Sequence, residues 1–187
     1  MTLKKAATPK AVLIAVDGVD PAAVLAGARA ALGQASRGGV SKWDASGVFQ
    51  ELAVADEAAG APSARTLLML YAADLAFRLR WQIRPALAEG RTVVAAPYVD
   101  TALAFGRAAG LKSSWLMNLF RFAPRPHTRR FAHATAARAA AVTGGFVGLS
   151  SEWVAADKKS RRRIRAQTAA ELRGRFDRRG RRLTTND

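Results

Sequence analysis

The chain of 187 residues has no cysteine, which excludes disulfides, a thiolate nucleophile and a cysteine-ligated metal. It has two histidines, His127 and His133, without H-E-x-x-H spacing. No metal site and no Ser-His-Asp arrangement is expected from them. No apolar run approaches the roughly 18 residues that cross a bilayer, so no membrane span is expected. The opening MTLKKAATPKAVLIAV carries two lysines before an apolar run, as a signal peptide does. That run, Ala11–Val16, is too short for a signal core and meets Asp17 at once, so it reads as a buried first strand. A cytoplasmic location is the expectation for such a cysteine-free chain.

Acids are also scarce: 14 Asp and Glu stand against 30 Lys and Arg, a net charge of +16. The excess is uneven. Residues 158–187 hold 12 basic and 3 acidic side chains, and residues 121–138 hold five arginines and no acid. A polyanion partner, such as nucleic acid, is one implication, with Arg161, Arg162, Arg163 and Arg165 as candidate contacts; a solvated helix face is the other. What the chain has in quantity is apolar residues, 50%, enough to build a packed core.

Along the chain, strands and helices alternate. Residues 1–10 read as a flexible arm, Ala11–Val16 as a strand, and Pro21–Leu32 as a helix capped by Asp20 and closed by Gly33. A short strand near Val40 and a helix over Val48–Ala59 follow. Leu68, Tyr71, Leu75, Leu79, Ile83 and Ala86 recur at steps of three and four in a helix over Ser63–Glu89, kinked or broken at Pro85. Then come a strand over 91–98, helices over 99–109 and 113–123, a strand over 129–135, a short alanine helix, a strand at FVGLS (146–150) and a basic helix over 157–178. This order predicts an α/β fold, a parallel sheet flanked by helices on both faces. The predicted layout is an arm (1–10), a domain (11–156) and a basic C-terminal helix and tail (157–187). In such sheets ligands bind beyond the carboxyl ends of the strands, beside 17–20 and 95–100.

The first strand and helix frame a phosphate-binding loop, G-x-x-x-x-G-K-[ST], laid on Gly18 without a gap. Ala23, Val24 and Leu25 stand where the second glycine, the lysine and the hydroxyl belong, and Pro21 removes a backbone N–H from the cradle. Gly18, Asp20, Pro21, Ala23, Val24 and Leu25 therefore form a degenerate loop without the phosphate-neutralising cation or the Mg²⁺ ligand. Asp17 and Asp20 are expected near its mouth with no lysine to balance them.

The stretch LLMLYAADLAFRLRWQIRPALAEGRTVVAAPYVDTALAFGRAAGL (67–111) resembles the thymidylate kinases. Their chains run through A-A-D-R-A, a helix ending I-R-P-A-L-x-x-G, a strand ending D-R-Y-V-D-S, then L-A-Y-Q-G and R-G-L. The resemblance covers about residues 11–125 and is most specific in that stretch. It implies a three-layer P-loop NTPase-like fold, phosphate transfer from Mg-ATP to dTMP, and a dimer through the 63–89 helix. The departures are selective. Leu75 replaces a phosphate-gripping arginine, Ala96-Pro97 replace the strand-end Asp-Arg, Phe105-Gly106 replace Tyr-Gln, and Ala109 replaces a further arginine. Residues that build the frame match, while residues that touch phosphate or metal are replaced.

Among the remaining candidates, Asp74 is expected in an i,i+4 surface pair with Arg78. Tyr98 and Phe105 read either as an aromatic wall for a base or as core. Arg65 is a candidate anion contact, and Asp100 is retained from the strand-end motif. Lys42, Trp43, Asp44 and Ser46 form a polar-aromatic cluster near the substrate side. Together with Asp17 these residues make the candidate ligand pocket. The leading expectation is a thymidylate-kinase-like domain with no phosphate transfer and no cofactor, acting as a binding or scaffold module. The alternatives are a nucleotide kinase using ATP and Mg with replacement residues, and a nucleic-acid binder acting through the basic C-terminal helix.

Overall fold

A computed structural model describes residues 11–176 except 34, 36, 45, 46, 49, 50 and 52–59. Its sheet is built from β1 (Val12–Asp17), β2 (Gly38–Lys42), β3 (Thr92–Ala96) and β4 (Thr128–Phe131), in the order β2-β3-β1-β4. Every pairing is parallel. Ile14 lies opposite Val94, Val40 opposite Val94, and Val16 opposite Arg130. The first strand and the 92–96 strand are thus neighbours in the sheet.

Side chains alternate across a strand, so each face has its own core. Ile14, Val16, Val94 and Ala96 face α1 (Pro21–Leu32), which buries Val24 and Ala28 against them. Leu13, Ala15, Val93 and Ala95 face the opposite layer. That layer includes α2 (Ala64–Arg78), α3 (Arg84–Ala88), α4 (Val99–Ala108), α5 (Ser113–Leu119), α6 (Ala136–Ala141), α7 (Gly145–Val154) and α8 (Lys158–Arg173). The architecture is the expected α/β one, with helices over both faces of a parallel sheet.

The 63–89 segment is helical from Ala64 to Ala88 but changes register. A π turn, Leu79–Ile83, joins α2 to α3 immediately before Pro85, whose missing N–H breaks the ordinary ladder. Leu68, Tyr71, Leu75, Leu79 and Ile83 are buried as the periodicity predicts, and Ala86, beyond Pro85, is only partly buried. Met69, Phe77 and Trp81 are left exposed on the outer side, with the Phe77 and Trp81 rings 6.5 Å apart.

FVGLS is helical, contrary to the predicted strand. Phe146, Val147, Ser150 and Ser151 are buried, a pair repeated at a step of four, which is the spacing of a helix face. Gly145 at φ +66° turns the chain into α7 beside the Pro21 ring, a conformation that favours glycine. The basic helix α8 is capped by Asp157 and ends at Arg173. It buries Ile164, Thr168, Ala169 and Leu172 against α4, α6 and α7, and so shares one core with residues before 156. The helix expected over Val48–Ala59 lies largely outside the described residues, as do the arm (1–10) and the tail beyond 176.

Candidate functional site

At the carboxyl edge of the sheet, β1 ends in a turn that the sequence builds tightly. A Cβ on Gly18 would sit 2.8 Å from Val24 Cγ2 and 2.9 Å from the Ala132 carbonyl oxygen, so only glycine fits there without a shift. Asp20 is the N-cap of α1: its Oδ1 accepts from the N–H of Ala22 at 2.9 Å and of Ala23 at 3.4 Å. Its Oδ2 accepts from Arg138 Nε, brought in by α6. Burial alone would raise the Asp20 carboxyl, but Arg138 and the two N–H groups outweigh it and hold the group below the usual carboxylate value.

Asp17 lies one turn away on the β1 face that meets α4, and it is fully buried. Its Oδ1 accepts from Tyr98 N at 3.0 Å, Thr101 N at 2.9 Å and Thr101 Oγ1 at 2.8 Å. It thereby caps α4, which has no side-chain cap of its own. Thr101 Oγ1 accepts in turn from Gly18 N at 3.1 Å. Asp100, also fully buried, accepts from Arg129 at 2.7 Å and from Arg175 at 3.0 Å. The expected pair of unbalanced acids at the loop mouth is therefore corrected. One acid is interior, bonded to the backbone of α4, and the other is neutralised by an arginine too distant in sequence to be read locally.

Beyond the strand ends lies a cavity of about 260 Å³. From the degenerate loop, Gly18, Pro21, Val24 and Leu25 line it; from the end of β2, Lys42, Trp43 and Asp44 do. Ala96, Pro97 and Thr101 complete one wall and Gly145–Val147 another. Trp43 meets Phe146 edge-on at 6.0 Å. Lys42 and Asp44 pair at 3.3 Å, both well exposed.

The remaining candidates are dispersed. Tyr98 and Phe105 are fully buried core aromatics and form no wall of the cavity. Asp74 does pair with Arg78, at 2.7 Å, but the pair is not at the surface: Arg78 is 2% exposed. The Arg78 guanidinium also donates to the carbonyls of Ser41 and Pro97, tying α2 to the ends of β2 and β3. Arg65 is exposed and stacks over Trp115 at 5.7 Å, with no place in the cavity. Ser46 lies outside the described residues. On α8, Arg161 and Arg165 are engaged internally by Glu152, and Arg165 also by Ser151, whereas Arg162 and Arg163 are exposed. The sequence reading missed Phe146, Val147 and Arg138 as parts of the site. The paired spacing of 146–147 and 150–151 was the signal available for the first two, and nothing local signals Arg138.

A parallel sheet ordered β2-β3-β1-β4, with a loop-and-helix unit after its first strand, defines a P-loop-like α/β fold. In fold the chain is similar to a crystal structure of thymidylate kinase from Ehrlichia chaffeensis, with a TM-score of 0.53 and 14% identity over 67% of this chain and 72% of that one. In sequence it is similar to the probable thymidylate kinases of Pyrococcus abyssi and Pyrococcus horikoshii, 43% identical to each over 58 residues. The corresponding protein of Thermococcus onnurineus is 41% identical over 58 residues. Each match spans 31% of this chain and 28% of the relative's length. No family model matches. The chain is thymidylate-kinase-like, by a short shared segment and by fold.

Burial, reinforced by Asp100, pushes the Asp17 carboxyl up from 3.8 to about 6, against the opposing bonds from Thr101 and Tyr98. Its Oδ2 is buried with no hydrogen-bond partner among the described residues. The folded chain thus holds this proton more tightly than the unfolded chain, and the stability this contributes below pH 3.8 is lost as pH rises through about 6. Asp17→Asn keeps the accepting oxygen and removes the titration. Denaturant unfolding of the two proteins should show the variant gaining on the wild type from about pH 4 to about pH 7; a difference that stays flat across that range contradicts the assignment.

Proposed function

We propose that this chain is a thymidylate-kinase-like binding or scaffold module that does not transfer phosphate. One observation carries the reading: the carboxylate of Asp20 already occupies the N–H groups of Ala22 and Ala23 that begin α1, and Arg138 neutralises it. An anion at a bare helix start gains only about 0.3–1 kcal/mol from the dipole. Here it would first have to displace a bonded carboxylate or lie beside it. The residues present do not fit Mg-ATP. Pro21 offers no N–H, and Val24 and Leu25 offer an alkyl wall where a cation and a metal ligand would be needed. We infer a protein without cofactor, acting in the cytoplasm. The kinase alternative would have to draw on a replacement cation such as Lys10, Lys42 or a C-terminal arginine, and Lys42 pairs with Asp44 at 3.3 Å. Calorimetry should detect no Mg-ATP binding tighter than millimolar, and Val24→Lys should not create dTMP phosphorylation, because Pro21, Leu25, Ala96 and Pro97 remain. Micromolar ATP binding, or turnover of dTMP by the wild type, overturns the reading.

Assembly follows from the exposed side of α2 and the π turn. We propose a two-fold dimer through the 63–89 segment, burying Met69, Phe77 and Trp81, which are 51%, 59% and 61% exposed in the single chain. Light scattering at high micromolar concentration should give twice the chain mass, falling to one chain in Trp81→Glu. A monomeric wild type rules the dimer out.

A second reading is favoured by α8. Lys158, Lys159, Arg162 and Arg163 are exposed near its N-terminal end, with no acid paired to them among the described residues. They support salt-sensitive, sequence-indifferent binding to nucleic acid phosphates. Removing α8 would also remove core residues, so the informative variant changes all four cations to glutamine. Its affinity for duplex DNA should drop, with the slope of log K against log salt flatter by about 0.9 for each phosphate no longer neutralised. Unchanged affinity and slope contradict a role for α8.

A further inference from the structure

The cavity at the carboxyl edge of the sheet differs in kind from a phosphate site. Its walls include Val19, Pro21, Val24, Leu25, Phe146 and Val147, with the Trp43 ring set edge-on to Phe146. Its volume is about 260 Å³. An apolar cavity of about 150 Å³ holds benzene, so this one matches roughly two fused rings. The polar groups at its edge are already engaged. Lys42 faces Asp44 at 3.3 Å, and the Thr101 hydroxyl bonds to Asp17 and Gly18.

The start of α7 borders the cavity and its dipole favours an anion, but by only about two- to fivefold. Lys42 is the cation at the cavity edge and Asp44 pairs with it, and moving an ionised group from water to the alkyl walls beyond that pair opposes binding by far more than the dipole favours it. Burying ring carbon against the same walls is favourable, and the edge of Phe146 and the indole of Trp43 supply aromatic partners.

We infer that this cavity binds a small uncharged aromatic molecule of about two fused rings and rejects phosphate esters. The inference rests on the reading of a module without phosphate transfer and names the ligand class for that same site. The change has one direction across the loop: each position that would hold charge presents carbon, so the site left at the strand ends is an apolar one.

The test uses the full chain, with indole as the neutral probe and inorganic pyrophosphate as the anionic one. The reporter is the side-chain N–H resonance of Trp43, assigned with Trp43→Phe. Indole should shift that resonance saturably, while pyrophosphate leaves it unmoved at equal concentration. Leu25, half-buried in the cavity wall, is the position to change. Leu25→Trp fills the space and should weaken indole binding at least about tenfold with the thermal transition retained. Leu25→Asn, nearly equal in size but polar, should weaken it in the same direction and serves if the tryptophan variant fails to fold. Absent indole binding, or binding unchanged in both Leu25 variants, overturns this inference and leaves the lack of phosphate transfer standing. Pyrophosphate binding more tightly than indole overturns both.

Discussion

Two carboxylates at the end of β1 hold the site together, and both act on backbone N–H groups. Asp17 caps α4 from across the sheet edge, and Asp20 caps α1 within its own turn. Helix starts carry unsatisfied donors, and leaving them buried without partners is costly. With these two acids in position, the helices that flank β1 are fixed relative to the strand. Thr101 adds a bond to Gly18, and Arg138 closes over Asp20. The turn that frames a nucleotide site in a phosphate-binding loop is here closed by the protein's own side chains.

The replacements elsewhere fit the same constraint. At the end of β3, Ala96 and Pro97 present carbon to the cavity, and the Pro97 carbonyl is held by Arg78. On α2, Leu75 is fully buried and part of the core. Arg78, one turn later, reaches the strand ends, but as a buried staple between α2, β2 and β3. The parallel strand order and the core frame an edge where the loop itself presents Pro21, Val24 and Leu25, and where Lys42 and Asp44 are the charged groups lining the cavity.

Much of this was legible in the sequence because it is local. Asp20-Pro21 as cap and first helical residue, the buried run of β1, and the leucine and aromatic spacing of the 63–89 segment each follow from neighbours in the chain. The absence of lysine and hydroxyl at Val24 and Leu25 is plain from spacing alone. What was hidden depends on partners distant in sequence. Nothing near Asp20 announces Arg138, 118 positions away, and nothing near Asp100 announces Arg175. FVGLS reads as a strand because its residues favour one, yet packing against Tyr71 and Phe105 through Phe146 makes it a helix. Residues 157–178 read as a basic helix with either a polyanion partner or a solvated face, and within it α8 turns Arg165 inward to Ser151 and Glu152.

Asp20, not a ligand, occupies the first donors of α1. The amide resonances of Ala22 and Ala23 report on those two bonds directly. During a titration with Mg-ATP, both should stay fixed through the millimolar range, while in Asp20→Ala they should move at once on substitution. Saturable shifts of the wild-type Ala22 and Ala23 amides at micromolar Mg-ATP would contradict the account, because the nucleotide would then be taking the place assigned to the carboxylate.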